Sequence, residues 1–391
     1  MYKIMFSAGE ASGDLHGARL AQALKEQSPE IELIGFGGPG MAEAGVRLYR
    51  DFRDYSVMGV WEVLQNLPRL FELQAALLDF MRQEKPDLLV LIDYPDFNWR
   101  LAKKAKKMGI AVFSYIPPSA WAWRKGRAKS CGQIADELVT IFPFDMKVYA
   151  QAGANVSFVG NPLVDIVHPS MDQEMARRHF GIAAGEIPVL LLPGSRRQEI
   201  RMLLPAMLAA AREMRREKPE MRFFLPVAPG IDRQLLEQMA HAAGVEVQLT
   251  TDASYDLMGL CSFALATSGT VVMEAALMGL PCIVLYRMAK LSYFVGRLLV
   301  HIRFFSLPNI LLDREIQPEL LQDEVNVPRI LQEARRFYED GAHLAEVRRE
   351  LALAAGTLGP PGAAGRTAKC ILAAAKRSRE KSERTSGEIK A

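Results

Sequence analysis

Short apolar runs bounded by turn-forming residues recur along the chain: Tyr2 to Phe6, Leu88 to Ile92, Ala111 to Tyr115, Leu138 to Ile141, Val189 to Leu192, Phe223 to Val227, Phe263 to Ala266 and Cys282 to Tyr286. Their length and Val/Ile/Leu/Phe content predict buried strands. Longer stretches with helical spacing of apolar residues lie between them, among them Leu15 to Lys25, Pro68 to Arg82, Leu203 to Lys218 and Val271 to Met278. Strand and helix in alternation predict the α/β class with doubly wound parallel sheets. The alternation restarts after Asn161-Pro162-Leu163 and the polar segment His168 to Gln173. Two domains are therefore expected, 1–168 and 169–345, with a hinge near 165–175. Open sheets of this kind bind ligands at the carboxyl ends of their strands, so the chemistry is expected in a cleft there. A helical segment, 346–375, is expected to follow, interrupted by Gly-Pro-Pro-Gly at 359–362. Residues 376–391 are charged, Ser-rich and poor in apolar side chains, a composition that predicts a disordered basic tail.

With 391 residues, 50% hydrophobic and 24% charged, the chain can bury two substantial cores. Its net charge of +3 is matched by the tail alone, where six Lys/Arg face three Asp/Glu. The electrically balanced body gives no general support for nucleic-acid binding, and no nucleic-acid partner is expected. Cys131, Cys261, Cys282 and Cys370 are far apart and lack zinc-ligand spacing, so reduced structural thiols are expected, with no metal and no cofactor. The first apolar run enters a glycine-bearing loop too early for a signal peptide, and charged residues interrupt every candidate spanning stretch. A cytoplasmic protein with at most peripheral membrane contact is expected.

Four loops at strand ends carry candidate chemistry. Ser7-Ala8-Gly9-Glu10-Ala11-Ser12-Gly13-Asp14 joins the first strand to the first helix, where backbone N–H groups can approach an anion. A tight turn capped by Ser12 or Asp14 explains the same residues. Leu192-Pro193-Gly194-Ser195-Arg196 occupies the equivalent place in the second half and adds a guanidinium able to clamp a diphosphate, or simply a solvated loop arginine. Ser268-Gly269-Thr270 precedes the helix from Val271 and suits a phosphate, and Glu274, one turn on, either reaches a ribose or serves as a surface glutamate. Two phosphate-grade loops without a Walker lysine favour a nucleoside diphosphate. Asp93, in Ile92-Asp93-Tyr94-Pro95-Asp96-Phe97-Asn98, is a candidate general base for a sugar hydroxyl, with a turn-forming aspartate before proline as the competing reading.

Pro117-Pro118-Ser119-Ala120-Trp121-Ala122-Trp123-Arg124 and Arg127 gather aromatic and guanidinium groups suited to an acyl-sugar phosphate; the tryptophans equally suit an interdomain core. Trp61, Val63, Leu64, Leu67, Leu70 and Phe71 form an amphipathic segment near Arg53, Arg69 and Arg82, explained either by core packing or by membrane contact. Leu291 to Phe305, with Arg297, His301 and Arg303, raises the same question.

In this order, SAGEASGD at 7, VMG at 57, IDYPDFN at 92, PSAWAW at 118, FPF at 142, GNPL at 160, LPGSR at 192, SGT at 268 and SLPN at 306 resemble the lipid-A-disaccharide synthase family over about residues 3–325. The resemblance implies a GT-B fold, two Rossmann-like domains facing a central cleft, and an inverting UDP-sugar glycosyltransferase of lipid A biosynthesis. It implies transfer of 2,3-diacylglucosamine from UDP-2,3-diacylglucosamine to 2,3-diacylglucosamine 1-phosphate, making a β-1′,6 linkage and UDP. Asp93 would then be the base and Arg196 would stabilise the leaving diphosphate. Gly194, Ser195, Ser268, Gly269, Thr270, Glu274 and Asn309 would surround the donor. Glu10, Ser12, Asp14, Asp96, Trp121, Trp123, Arg124 and Arg127 would line the acceptor side. Membrane lipids become expected partners, which raises the membrane reading of the Trp61 to Phe71 segment. Pro117 and Asp145 depart from the family's usual serine and glutamate and bear on acceptor fit. A UDP-N-acetylglucosamine epimerase, another soluble GT-B transferase and a catalytically silent nucleotide-sugar-binding protein are the alternatives. A homodimer is compatible with the sequence, which does not require one.

Overall fold

The computed structural model describes the backbone of residues 1–55, 60–120, 125–289, 293 and 302–388, and their side chains except at 60–67, 125 and 385–388. The first domain holds β1 (Lys3–Ser7), β2 (Glu32–Gly37), β3 (Arg47–Asp51), β4 (Leu88–Ile92), β5 (Ala111–Tyr115), β6 (Glu137–Thr140) and β7 (Val156–Phe158). They form one parallel sheet in the order β3-β2-β1-β4-β5-β6-β7. The second holds β8 (Ile187–Leu192), β9 (Met221–Pro226), β10 (Val247–Thr250), β11 (Phe263–Thr267), β12 (Cys282–Tyr286) and β13 (Glu319–Leu321). These are also parallel, in the order β10-β9-β8-β11-β12-β13.

The central strands are those with uninterrupted apolar runs. Both faces of a parallel sheet are covered by helices, so β4 (LLVLI) and β11 (FALAT) are buried at every position. Five strands have no counterpart among the predicted runs. Four of them, β3, β7, β10 and β13, are the outer strands of the two sheets, short and only partly buried, so they carry no continuous apolar signal. The fifth, β2, is interrupted by Gly35 and Gly37; a Cβ on Gly35 would lie 2.1 Å from the Phe6 carbonyl oxygen.

The domain limits differ from expectation. One compact unit comprises 1–162 and 359–391, the other 163–358. The polar segment expected at the hinge belongs to the second unit because Asp256 accepts hydrogen bonds from the Ser170 amide (2.8 Å), the Ser170 hydroxyl (2.8 Å) and the Met171 amide (2.6 Å). After the helix Gly341–Gly356 the chain returns to the first domain as one long helix, Ala363–Glu388. Ala363, Thr367, Ala368, Ile371, Ala374 and Ala375 form its buried stripe, and the last four join the core containing Ile4, Leu20, Leu24 and Val90. The tail expected to be disordered from 376 is therefore helical through 388. Its charges continue a helix already anchored upstream: Arg377 pairs with Glu137, and Arg379 pairs with Asp87 at 3.3 Å while lying over the Tyr2 ring. The four cysteines are unpaired thiols, three of them buried.

Candidate active site

In both sheets the strand order reverses beside the first strand of the domain, and the loops leaving the two strands at that point emerge side by side at their carboxyl ends. In the first domain the pair is β1 and β4, with Ser7 opposite Leu91. This brings the Ser7 to Asp14 loop against the loop of Asp93. The Ser12 hydroxyl lies 3.4 Å from the Asp93 carboxylate. Asp93 and Tyr94 both adopt left-handed backbone conformations, φ 49° and 50°. Such residues cost about 1–3 kcal/mol each and persist where their surroundings hold them. Asn98 supplies that hold. Its amide donates to the carbonyls of Asp93 (2.7 Å) and Ser7 (3.0 Å), and its oxygen accepts the Ser7 hydroxyl at 2.7 Å. Tyr94 packs so closely over Gly9 that a Cβ there would sit 2.1 Å from its ring. Burial raises the pKa of Asp93 above the ordinary carboxylate value, with the Tyr94 amide and the Ser12 hydroxyl partly offsetting it. A half-buried carboxylate raised in this way is a better proton acceptor than a solvated one.

The other first-domain candidates separate. Asp14 is buried and accepts the amides of Gly38 (2.8 Å), Gly40 (2.9 Å) and Met41 (3.0 Å), so it shapes the neighbouring turn rather than facing a substrate. Glu10 is exposed at the start of the helix Ala11–Gln27. Asp96 is exposed and pairs with Arg127 at 3.3 Å. Trp121, Trp123 and Arg124 lie outside the described residues, but the segment leading to them is well held. The Tyr149 hydroxyl donates to the Pro118 carbonyl (2.6 Å), and Ser119 donates to Asp145 at 3.4 Å. Burial pushes the Asp145 carboxyl up to about 7 against the pull of Ala120 and Ser119. Within the amphipathic segment, the side chains of Trp61, Val63, Leu64 and Leu67 lie outside the described residues. Leu70, assigned to the membrane patch, is partly buried and packs against the core, whereas Phe71 is 54% exposed. Leu291, Arg297 and His301 also fall outside, and Phe304 and Phe305 pack inward.

In the second domain the reversal lies between β8 and β11, with Leu192 opposite Ala266. The loops of Gly194-Ser195-Arg196 and Ser268-Gly269-Thr270 are thereby adjacent. Gly194 has φ 113°, and a Cβ there would meet the Glu199 carboxylate at 2.3 Å. Ser195, Gly269 and Thr270 are exposed. Arg196 is exposed as well and pairs with Glu199 at 2.9 Å, an exchangeable surface contact that an incoming diphosphate can replace. Thr270 opens the helix Thr270–Leu277, whose first amides face outward to the loop. Glu274 is half-buried with no hydrogen-bond or ion-pair partner among the described residues, and burial raises its pKa. Ribose hydroxyls would supply the donors it lacks.

Asn309 has a different position from the one expected. It is fully buried, and its amide is saturated by the Gln317 carbonyl (2.9 Å), Glu319 (2.8 Å) and the amides of Ile316 (3.0 Å) and Gln317 (3.3 Å). It holds the loop instead of reaching a nucleotide. Glu319, absent from the sequence-based set, is the centre of that arrangement. Its carboxylate accepts the Phe305 amide (2.9 Å), the Ser306 amide (2.9 Å), the Ser306 hydroxyl (2.6 Å) and Asn309. The Phe305 carbonyl in turn accepts the Ser268 hydroxyl at 2.9 Å, tying Glu319 to the phosphate-grade loop. The available signal was a carboxylate opening the short apolar run Glu319-Leu320-Leu321 just after SLPN. Ser7 and Asn98 were visible only as the ends of their motifs.

The protein-family model described as lipid-A-disaccharide synthetase matches residues 4–355. The chain belongs to the lipid-A-disaccharide synthase family. It is 40% identical over 371 residues to the lipid-A-disaccharide synthase of Geobacter sulfurreducens, covering 95% of this chain and 97% of that one. With the Myxococcus xanthus enzyme of the same name it shares 41% over 371 residues, covering 95% and 97%. Among solved structures, a putative UDP-N-acetylglucosamine 2-epimerase from Listeria monocytogenes has a TM-score of 0.65 at 15% identity, covering 97% of each chain. The calicheamicin glycosyltransferase has 0.58 at 14%, covering 96% of this chain and 99% of that one. These likenesses establish the shared GT-B fold, and family membership separates the chain from the epimerases that share it. The lipid-A-disaccharide synthase assignment makes it a UDP-sugar-dependent glycosyltransferase. Among the described residues no helix is long and apolar enough to cross a membrane, and no group of His, Cys, Asp and Glu is placed to hold a metal.

Proposed function

We infer that this lipid-A-disaccharide synthase family member transfers 2,3-diacylglucosamine from its UDP derivative to the 6-hydroxyl of 2,3-diacylglucosamine 1-phosphate. The observation that carries the residue assignment is the half-buried Asp93 carboxylate, raised in pKa and held on a left-handed turn at the strand-order reversal. In a single inverting displacement Asp93 takes the hydroxyl proton as the acceptor oxygen bonds to the donor's anomeric carbon. The bond from that carbon to the diphosphate breaks, and its electron pair leaves with UDP. Charge developing on the diphosphate is met by Arg196 and the amides at the start of the Thr270 helix, so the reading calls for no metal or cofactor. Glu274 accepts from the ribose hydroxyls. The acyl chains of both substrates place the reaction at a membrane surface, on the cytoplasmic side, and the exposed Phe71 supports peripheral contact there.

The test is incubation of the purified chain with both acylated substrates, following UDP and the disaccharide by mass spectrometry. Formation of both products only when acceptor is present is the expected result. UDP release without disaccharide, or no turnover by folded protein, would overturn the reading.

A further inference from the structure

The surface of the first domain contains a cavity of about 480 Å³ lined by Pro95, Asp96, Trp99, Arg100, Lys103, Gly126 and Arg127. Asp96, Trp99, Arg100 and Lys103 come from one helix, Pro95–Lys107, at spacings that put them on a single face. Gly126 and Arg127 belong to the neighbouring helix Lys125–Ile134. Three cations thus share the cavity with one carboxylate, and that carboxylate is already paired with Arg127. Arg100 and Lys103 stand one turn apart and have no ion-pair or hydrogen-bond partner among the described residues. On the same helix, by contrast, Lys104 bonds Gln74 and Lys106 pairs with Asp136. Adjacent like charges on a helix repel, and the positive end of this helix lies at the same cavity. An anion entering here relieves both.

The location narrows which anion. Pro95 at the rim is two residues from Asp93, a chain separation of at most about 7 Å. In an acceptor sugar whose 6-hydroxyl lies at Asp93, C1 with its phosphate and C5 with the 6-hydroxymethyl group flank the same ring oxygen, so the phosphate needs a cationic site within one sugar's reach of Asp93. Trp99 adds an aromatic surface for the apolar side of a sugar. We propose that Trp99, Arg100, Lys103 and Arg127 form the subsite for the anomeric phosphomonoester of the acceptor, an assignment that rests on the transferase reading above.

The experiment uses the full chain and the paired substitution Arg100→Ala with Lys103→Ala; both residues are exposed, and retained folding is checked by circular dichroism. Two probes are used. The KM for the acylated acceptor is measured at saturating donor, and binding of soluble glucosamine 1-phosphate is compared with that of glucosamine by calorimetry. The expected result is a tenfold or greater rise in acceptor KM with UDP affinity unchanged, and wild-type binding of the phosphorylated sugar that the variant loses. Arg100→Lys should restore most of the affinity. Unchanged KM and unchanged glucosamine 1-phosphate binding in the variant would overturn the subsite while leaving the transferase reading intact. If the wild type makes no disaccharide yet the variant still loses glucosamine 1-phosphate binding, the transferase reading fails and the sugar-phosphate site stands. Loss of sedimentation with phosphatidylglycerol vesicles, with KM and sugar-phosphate binding unaltered, would reassign the cations to a bulk anionic lipid surface and overturn the proposal.

Discussion

Asp93→Asn separates proton transfer from every other contribution of its loop. Asparagine tolerates the left-handed conformation that Asp93 adopts at φ 49°, and the backbone carbonyl keeps its 2.7 Å bond from Asn98. The side-chain bonds at stake are the long 3.4 Å contact with Ser12 and the bond from the Tyr94 amide, which an asparagine oxygen can still accept, so global stability should change by no more than about 1 kcal/mol. UDP affinity should be unchanged, because the proposed nucleotide residues belong to the second domain. General-base catalysis contributes about 10²- to 10⁴-fold, so turnover should fall by at least about 100-fold, or about 2.7 kcal/mol in the barrier. Disaccharide formation is followed by mass spectrometry, UDP binding by calorimetry and unfolding by urea titration. The pH profile adds an independent check. Because burial raises the pKa of Asp93, wild-type kcat/KM should fall on acidification through a value above the ordinary carboxylate range, and the residual activity of the variant should lack that limb. Turnover within threefold of wild type would refute the assignment of the base.

Glu319→Gln replaces one of two accepting carboxylate oxygens with an NH2 group that can only donate, and should weaken UDP binding by about tenfold through the Phe305–Ser268 connection; an unchanged Kd by calorimetry would show that the loop does not depend on it. Asp145 should make the wild type less stable as pH rises. Its folded-state pKa of about 7 stands above the ordinary 3.8, so between these values the unfolded chain has released a proton that the folded one retains. Relative to Asp145→Asn, the wild type should lose about 2–3 kcal/mol between pH 5 and pH 7.5, measured by urea unfolding, and parallel curves would contradict this. Ile371→Ala, at a fully buried position of the C-terminal helix, should cost about 2–5 kcal/mol, whereas a helix detached from the first domain would show almost no change in thermal or urea unfolding.

Much of the architecture was legible in the sequence because a strand covered on both faces has to be apolar at nearly every position. That condition marked β1, β4, β5, β6, β8, β9, β11 and β12, together with the loops at their carboxyl ends. It also placed Asp93, Arg196 and Ser268-Gly269-Thr270 where ligands bind in such folds. The sheet edges β3, β7, β10 and β13 stayed hidden, since a partly exposed strand has no such constraint. The helical tail stayed hidden for a related reason: composition over 376–391 contains no sign that a helix beginning at Ala363 and docked through Ile371 carries those charges onward.

The site's supporting groups were beyond sequence reasoning because they act across large separations. Ser7 and Asn98 are 91 positions apart yet share two buried hydrogen bonds. Local sequence cannot distinguish an asparagine that touches a nucleotide from one, like Asn309, whose every hydrogen bond is made internally. The chemical types at the strand ends were determined by the sequence alone. Which of them are paired, buried or left open to a ligand was decided only when parallel strand pairing brought distant loops to the same edge.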